Sequence, residues 1–102
     1  MATRPELFTE IIGANGNYPS AGKVFTGSAR TFAIQGTFDS GTVKISASYD
    51  GGTTFITLTD SDGSDIAITS NSIVNVSVGS GTTLRFVLSG SSGSTDLDVF
   101  VA

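Results

Sequence analysis

Residues 42–59 read TVKISASYDGGTTFITLT, and the alternation in this stretch decides the fold. Val43, Ile45, Ala47 and Tyr49 alternate with Thr42, Lys44, Ser46 and Ser48. A period of two puts one side of a strand into a core and leaves the other in water. Phe55 to Thr59 resumes a β-branched and aromatic run. Between the two runs, Asp50, Gly51 and Gly52 tolerate positive φ, and the Asp can bond the turn amides. The stretch is therefore a β-hairpin.

Outward from this hairpin, turn signals recur roughly every 8 to 12 residues, the spacing of an all-β sandwich or barrel. Upstream, Leu7 to Ile12 is expected as a first strand, Lys23 to Thr26 as a short one, and Arg30 to Phe38 as a longer one with Phe32, Ile34, Gly36 and Phe38 on one face. Gly13 to Gly22, with Asn15-Gly16-Asn17 and Tyr18-Pro19-Ser20, is expected to be the longest loop. Downstream, Ile66 to Thr69, Asn71 to Val78, Thr82 to Ser89 and Thr95 to Ala102 alternate in the same way, separated by Gly- and Ser-rich turns. No window carries helical periodicity beyond one turn. The expected fold is all-β: a single antiparallel β-sandwich, jelly-roll or immunoglobulin-like, of about eight strands with a short N-terminal arm. Residues 1–12 form the arm and first strand, and residues 13–102 the sandwich. A propeller is excluded, because each blade consumes about 40 residues.

Composition narrows the chemistry. At 102 residues the chain can bury one core without disulfides or metals, and it contains no cysteine to form either a disulfide or a thiolate site. It also contains no histidine, which removes the commonest general base and metal ligand. A net charge of −4 with five scattered cations argues against nucleic acid, whose phosphates are bound by clustered Lys and Arg. No apolar run approaches the roughly 20 residues of a membrane helix, and the N-terminus lacks the apolar centre of a signal peptide, so neither membrane insertion nor export by that route is expected. Only 14% of residues are charged, which suits a Thr- and Ser-rich sandwich or a subunit that shares much of its surface with neighbours.

Few residues could carry chemistry. Asp60-Ser61-Asp62-Gly63-Ser64-Asp65 resembles a fragment of a calcium loop, but the sixth position is Asp65 where an EF-hand needs Gly, and the twelfth is Asn71 where it needs Glu. A solvated turn is the expected reading, and no cofactor or metal is implied. Asp96 and Asp98 share a strand face as a glycosidase pair would, yet so small a sandwich offers little cleft. They are expected to guard a C-terminal edge strand instead. Tyr18 and Tyr49 could stack on a sugar, although no Trp accompanies them. The phenylalanines read as core, with two departures. Phe100 is out of phase with Val99 and Val101, and Phe8 is out of phase with Leu7, so either could be an exposed contact of the kind that marks an interface.

Ser48-Tyr49-Asp50-Gly51-Gly52-Thr53-Thr54-Phe55 also fits Ser-x-Asp-x-Gly-x-Thr-aromatic, and so resembles the Asp-box hairpin of sialidase propellers and of many secreted or viral β domains. That resemblance implies a structural staple: Ser48, Asp50, Gly52, Thr54 and Phe55 form it, with Asp50 holding turn amides, Gly52 left-handed and Phe55 folded over the hairpin's back. With its N-terminal arm, Thr/Ser-rich strands and short Val/Leu strands after Gly/Ser turns, the chain further resembles tailed-phage capsid decoration (cement) proteins. The resemblance covers residues 30–102 and implies a non-enzymatic homotrimer on the virion's capsid surface, made in the host cytoplasm. Its partner would be the major capsid protein, contacted by an arm within Ala2 to Ile12, with Arg4, Pro5, Leu7, Phe8, Ile11 and Ile12 as the contact residues. The alternative is a carbohydrate- or host-surface-binding module of a tail or fibre, with Asn15 to Ser20 and Ser91 to Thr95 as its ligand face.

Overall fold

The computed structural model describes residues 6–24, 29–60, 62–77 and 81–101. Its strands are β1 (Glu6–Gly13), β2 (Gly16–Val24), β3 (Ala29–Thr37), β4 (Thr42–Ser48), β5 (Ile56–Thr57), β6 (Ala67–Ile68), β7 (Ser72–Ser77), β8 (Thr83–Ser89) and β9 (Thr95–Val101). The turn between β4 and β5 is the tip of one long antiparallel ribbon. Moving away from that tip, β4 pairs with β5, β3 with β7, β2 with β8 and β1 with β9. Two further antiparallel ladders, β3 with β9 and β4 with β8, lay the doubled ribbon side by side. The result is two facing sheets, β1-β9-β3-β7 and β2-β8-β4-β5, with β6 also on β4. This is a β-sandwich, and a ribbon rolled so that sequential strands alternate between sheets is the jelly-roll order.

The short strands β5 and β6 are two halves of one edge. Ala47 lies opposite Ile56 and Ser46 opposite Thr57, while Lys44 lies opposite Ala67 and Val43 opposite Ile68. Continued inward, both registers reach Ile45, which would face Leu58 from one side and Ile66 from the other. The chain between them leaves the sheet as a small hairpin. Leu58 N donates to Ile45 O at 2.8 Å, Ile66 N donates to Leu58 O at 3.1 Å, and Thr59 bridges Asp65.

Alternation fills the core. Val43, Ile45 and Ala47 from β4, Leu84, Phe86 and Leu88 from β8, Phe32 and Ile34 from β3, and Leu97, Val99 and Val101 from β9 are all buried. Tyr49 leaves the pattern and is exposed, because the turn has already begun there. The rings of Phe8, Phe32 and Phe86 meet at the centre with centroids 5.2 to 5.6 Å apart, two of the three contacts edge-on, an arrangement favoured by the ring quadrupoles. Gly36 of β3 has φ +134° and lies against Asp96 O and Leu97 Cα of β9, so the seam between these strands leaves no room for a Cβ.

Three expectations are corrected. The stretch from Gly13 to Gly22 is not a long loop: Gly16, Asn17 and Tyr18 pair with Leu88, Val87 and Phe86. The register breaks after Tyr18 and resumes at Lys23, so Pro19 to Gly22 bulge from an edge strand, where a residue without N–H costs no ladder bond. Phe8 is not an exposed contact. The pairs Leu7–Phe100 and Thr9–Val99 leave Phe8 as the extra residue of a β-bulge, which turns it inward beside Ile11. Finally, β9 is not an edge, since it pairs with β1 on one side and β3 on the other.

Truncating the central ring should therefore be costly. Phe86→Ala is expected to lower unfolding stability by about 3–5 kcal/mol in urea titration, whereas a loss below about 1 kcal/mol would show that the aromatic cluster is not the packing centre.

Candidate functional site

The turn at the ribbon's tip is closed by side chains. Ser48 Oγ donates to Asp50 Oδ1 at 2.8 Å and accepts from Gly52 N at 2.9 Å. The same Asp50 oxygen accepts from Thr54 N at 2.8 Å and from Thr53 N at 3.2 Å. Gly51 and Gly52 supply φ of 79° and 96°, values that a side chain rarely adopts. The Thr54 amide, the Ser48 hydroxyl and the Thr54 side chain together hold the Asp50 carboxyl down at about 2. From this turn Phe55 folds back over the five-stranded sheet, with its ring centroid 3.7 Å from the Arg85 guanidinium carbon. Asp50 is thus fully engaged in local bonding, and the hairpin is a staple.

The acidic turn within the β5–β6 insert is likewise engaged. Asp60 Oδ1 accepts from Asp62 N at 2.9 Å and Ser64 N at 3.2 Å, the arrangement of a side chain capping its own turn. Asp65 pairs with Lys44 at 3.2 Å. No group of three acidic side chains converges on a metal-sized space among the described residues.

One end of the sandwich is laced by polar groups. Ser91 N donates to Asn15 Oδ1 at 2.9 Å, Ser91 Oγ donates to Gly13 O at 3.1 Å, and Thr95 Oγ1 donates to Phe38 O at 3.0 Å. Ser94 N donates to Asp39 Oδ2 at 2.7 Å. Tyr18 OH donates to the carbonyls of Ala14 and Ile12. Of the groups that could hydrogen-bond a sugar at Asn15 to Ser20 and Ser91 to Thr95, the side chains of Asn15, Tyr18, Ser91 and Thr95 are engaged in holding the loops together.

The outer face of the four-stranded sheet is different. Leu7 pairs with Phe100, Phe100 with Ala33, and Ala33 with Ile73, so one apolar row crosses all four strands from edge to edge. Leu7 and Ile73 are exposed, while Phe100 and Ala33 are half-buried between their neighbours. The next row sets Glu10 directly opposite Asp98, and the one after it sets Ile12 opposite Asp96. Lys23, Lys44 and Arg85 belong to the five-stranded sheet, and Arg30 is in β3 of the four-stranded one. An apolar row beside an acidic one has the chemistry of an adhesive surface.

Of the contact residues expected near the N-terminus, Leu7 and Ile12 project outward from β1, Phe8 and Ile11 are consumed by the monomer's own core, and Arg4 and Pro5 lie outside the described residues. The bulge turns Phe8 inward, while Ile11 faces the core by regular pairing with Leu97, so neither side chain is on the surface of the monomer. Asp96 and Asp98 stand on the outer face of an interior strand. Sequence reasoning did not assemble the row through Ala33 and Ile73, although the off-phase Phe100 was its visible sign. No protein-family model, curated protein or solved structure matches the chain.

A carboxylate whose folded pKa lies below its unfolded value stabilises the fold above the unfolded pKa and loses that contribution as pH falls through the folded one. For Asp50 this window runs from 3.8 down to about 2. Its carboxyl carbon should titrate at the low end of the window by NMR, and Asp50→Asn should abolish this part of the acid sensitivity. A midpoint at the ordinary Asp value would mean that the staple does not form.

Proposed function

We propose that this chain is a non-enzymatic structural protein of a virion, binding the outer surface of a phage capsid and stabilising it as a decoration protein. The observation that supports this most is the apolar row across the outer face of the four-stranded sheet, next to acidic residues and reaching both sheet edges. Isolated exposed apolar side chains need no explanation, but a contiguous row is what a docking surface requires. The exposed aliphatic residues, Leu7, Ile12, Val24, Ile56 and Ile73, all lie on edge strands, where lateral neighbours would meet them.

The physical logic follows from linkage. A rigid domain that binds only the assembled lattice stabilises it by mass action, and repeated symmetric attachment multiplies modest contacts. The major capsid protein is the proposed partner. The sandwich suits the role because paired strands, rather than loops, carry the docking face. A host-glycan module is the less supported reading, since Asn15, Ser91 and Thr95 of the loops it would use are already bonded within the protein.

Purified chain mixed with undecorated capsids of the source particle should co-sediment with them, and Leu7→Glu should weaken that binding by roughly tenfold. Electron cryomicroscopy of the particle should show the domain on the shell. Density on the tail alone, or no binding to capsids, would overturn the proposal.

A further inference from the structure

We propose that β7 is a self-association edge, onto which β7 of a second copy pairs antiparallel about a two-fold axis, Ile73 opposite Ile73. The sandwich has four edges: β1 and β7 in one sheet, β2 and the β5–β6 pair in the other. An open edge invites another strand unless charge, proline, a bulge or a break guards it. Three edges carry such guards. β1 has Glu10 and the Phe8 bulge; β2 has Pro19, Lys23 and a broken register; and the β5–β6 edge is split by its insert. β7 has none. It reads Ser-Ile-Val-Asn-Val-Ser, carries no charge, and pairs with β3 in unbroken register over its whole length.

The surroundings of β7 are also shaped to receive something. Ile73 is 75% exposed, the most of any large apolar side chain described. A hollow of about 430 Å³ lies beside it, lined by Ala33, Gln35 and Asn71 among others. A second hollow of about 640 Å³, bordered by Val74, Asn75, Ile66 and Asp65, lies on the strand's other flank.

A second copy is the occupant because of what each edge would oppose. Pairing β1 with itself brings acidic residues together across the seam, whereas pairing β7 with itself opposes no charge. With Ile73 on the axis, both outer faces point the same way, and the row Leu7, Phe100, Ala33, Ile73 runs on into the same row of the second copy. This two-fold contact differs from the trimer that the resemblance implies, and it does not depend on capsid binding.

Sedimentation equilibrium of the full chain, from about 1 to about 100 μM, should show a monomer–dimer equilibrium. Ile73→Lys, a change at an exposed site, should weaken the dimer by roughly a hundredfold with an unchanged circular dichroism spectrum. Leu7→Lys, on the opposite edge of the same sheet, should leave the dimer intact. Hydrogen exchange should show the β7 amides that point away from β3 protected at high concentration and exchanging freely on dilution, while those bonded to β3 stay protected at both. A monomer throughout, a trimer, a dimer indifferent to Ile73→Lys, or outward-pointing β7 amides that exchange alike at both concentrations would each overturn the proposal.

Discussion

The turn at Asp50 constrains everything else, because each ladder between named strands joins a strand before it to a strand after it. None of β1 to β4 pairs with another of that group. The two halves of the chain can form sheets only with each other, so the register at the tip propagates outward to β1 and β9. A one-residue slip there would carry each alternating strand's apolar set from the core to the surface. The three amide bonds and one hydroxyl bond that close residues 48–54 are consequently worth more to the fold than their solvent-exposed position implies. Closure is also cheapest at this point and grows costlier as the ribbon lengthens, which makes the tip the natural place for pairing to begin.

A strict ribbon would nevertheless be too regular to close as a sandwich, and three departures adjust it. The bulge at Phe8 inverts the parity of β1 and brings an additional ring to the core. The break after Tyr18 lets β2 bend while keeping both of its ends on β8. The insert between Leu58 and Ile66 splits the outermost strand, so β4 is covered along its length by two short pieces. Each departure lies on an edge strand, where only one ladder has to be interrupted. The interior strands β3, β4, β8 and β9 remain regular because each satisfies two neighbours at once.

This division explains what the sequence reveals. The interior strands announce themselves by clean alternation, and the all-β sandwich, the hairpin and most of the core follow from it. The edge strands do not, because a bulged residue looks like an error of phase. Phe8 and Phe100 present the same signal, one apolar residue out of step, yet a bulge turns Phe8 inward while regular pairing leaves Phe100 on the outer face. Lateral order is invisible for a similar reason. Nothing in Asp96 and Asp98 distinguishes an edge strand from a solvent-facing interior strand, and the Asn-Gly and Tyr-Pro signals of β2 mimic a loop. The apolar row was hidden as well, since it is drawn from four strands that each contribute a single residue.

The same outer face carries side chains that the core does not use. Glu10 and Asp98 sit opposite each other across a ladder, an arrangement that disfavours the isolated monomer. Neither participates in the core, and the staple, the laced loops and the aromatic centre lie elsewhere, so the like-charge pair can be carried without threatening the fold. A residue free of structural duty is free to answer to a partner, and the outer face of the four-stranded sheet is where such residues gather. The five-stranded sheet is occupied differently, with Lys44 bonded to Asp65 and Arg85 beneath Phe55. Part of one sheet is thus covered by the folded-back Phe55, whereas the apolar row of the other lies on its outer face.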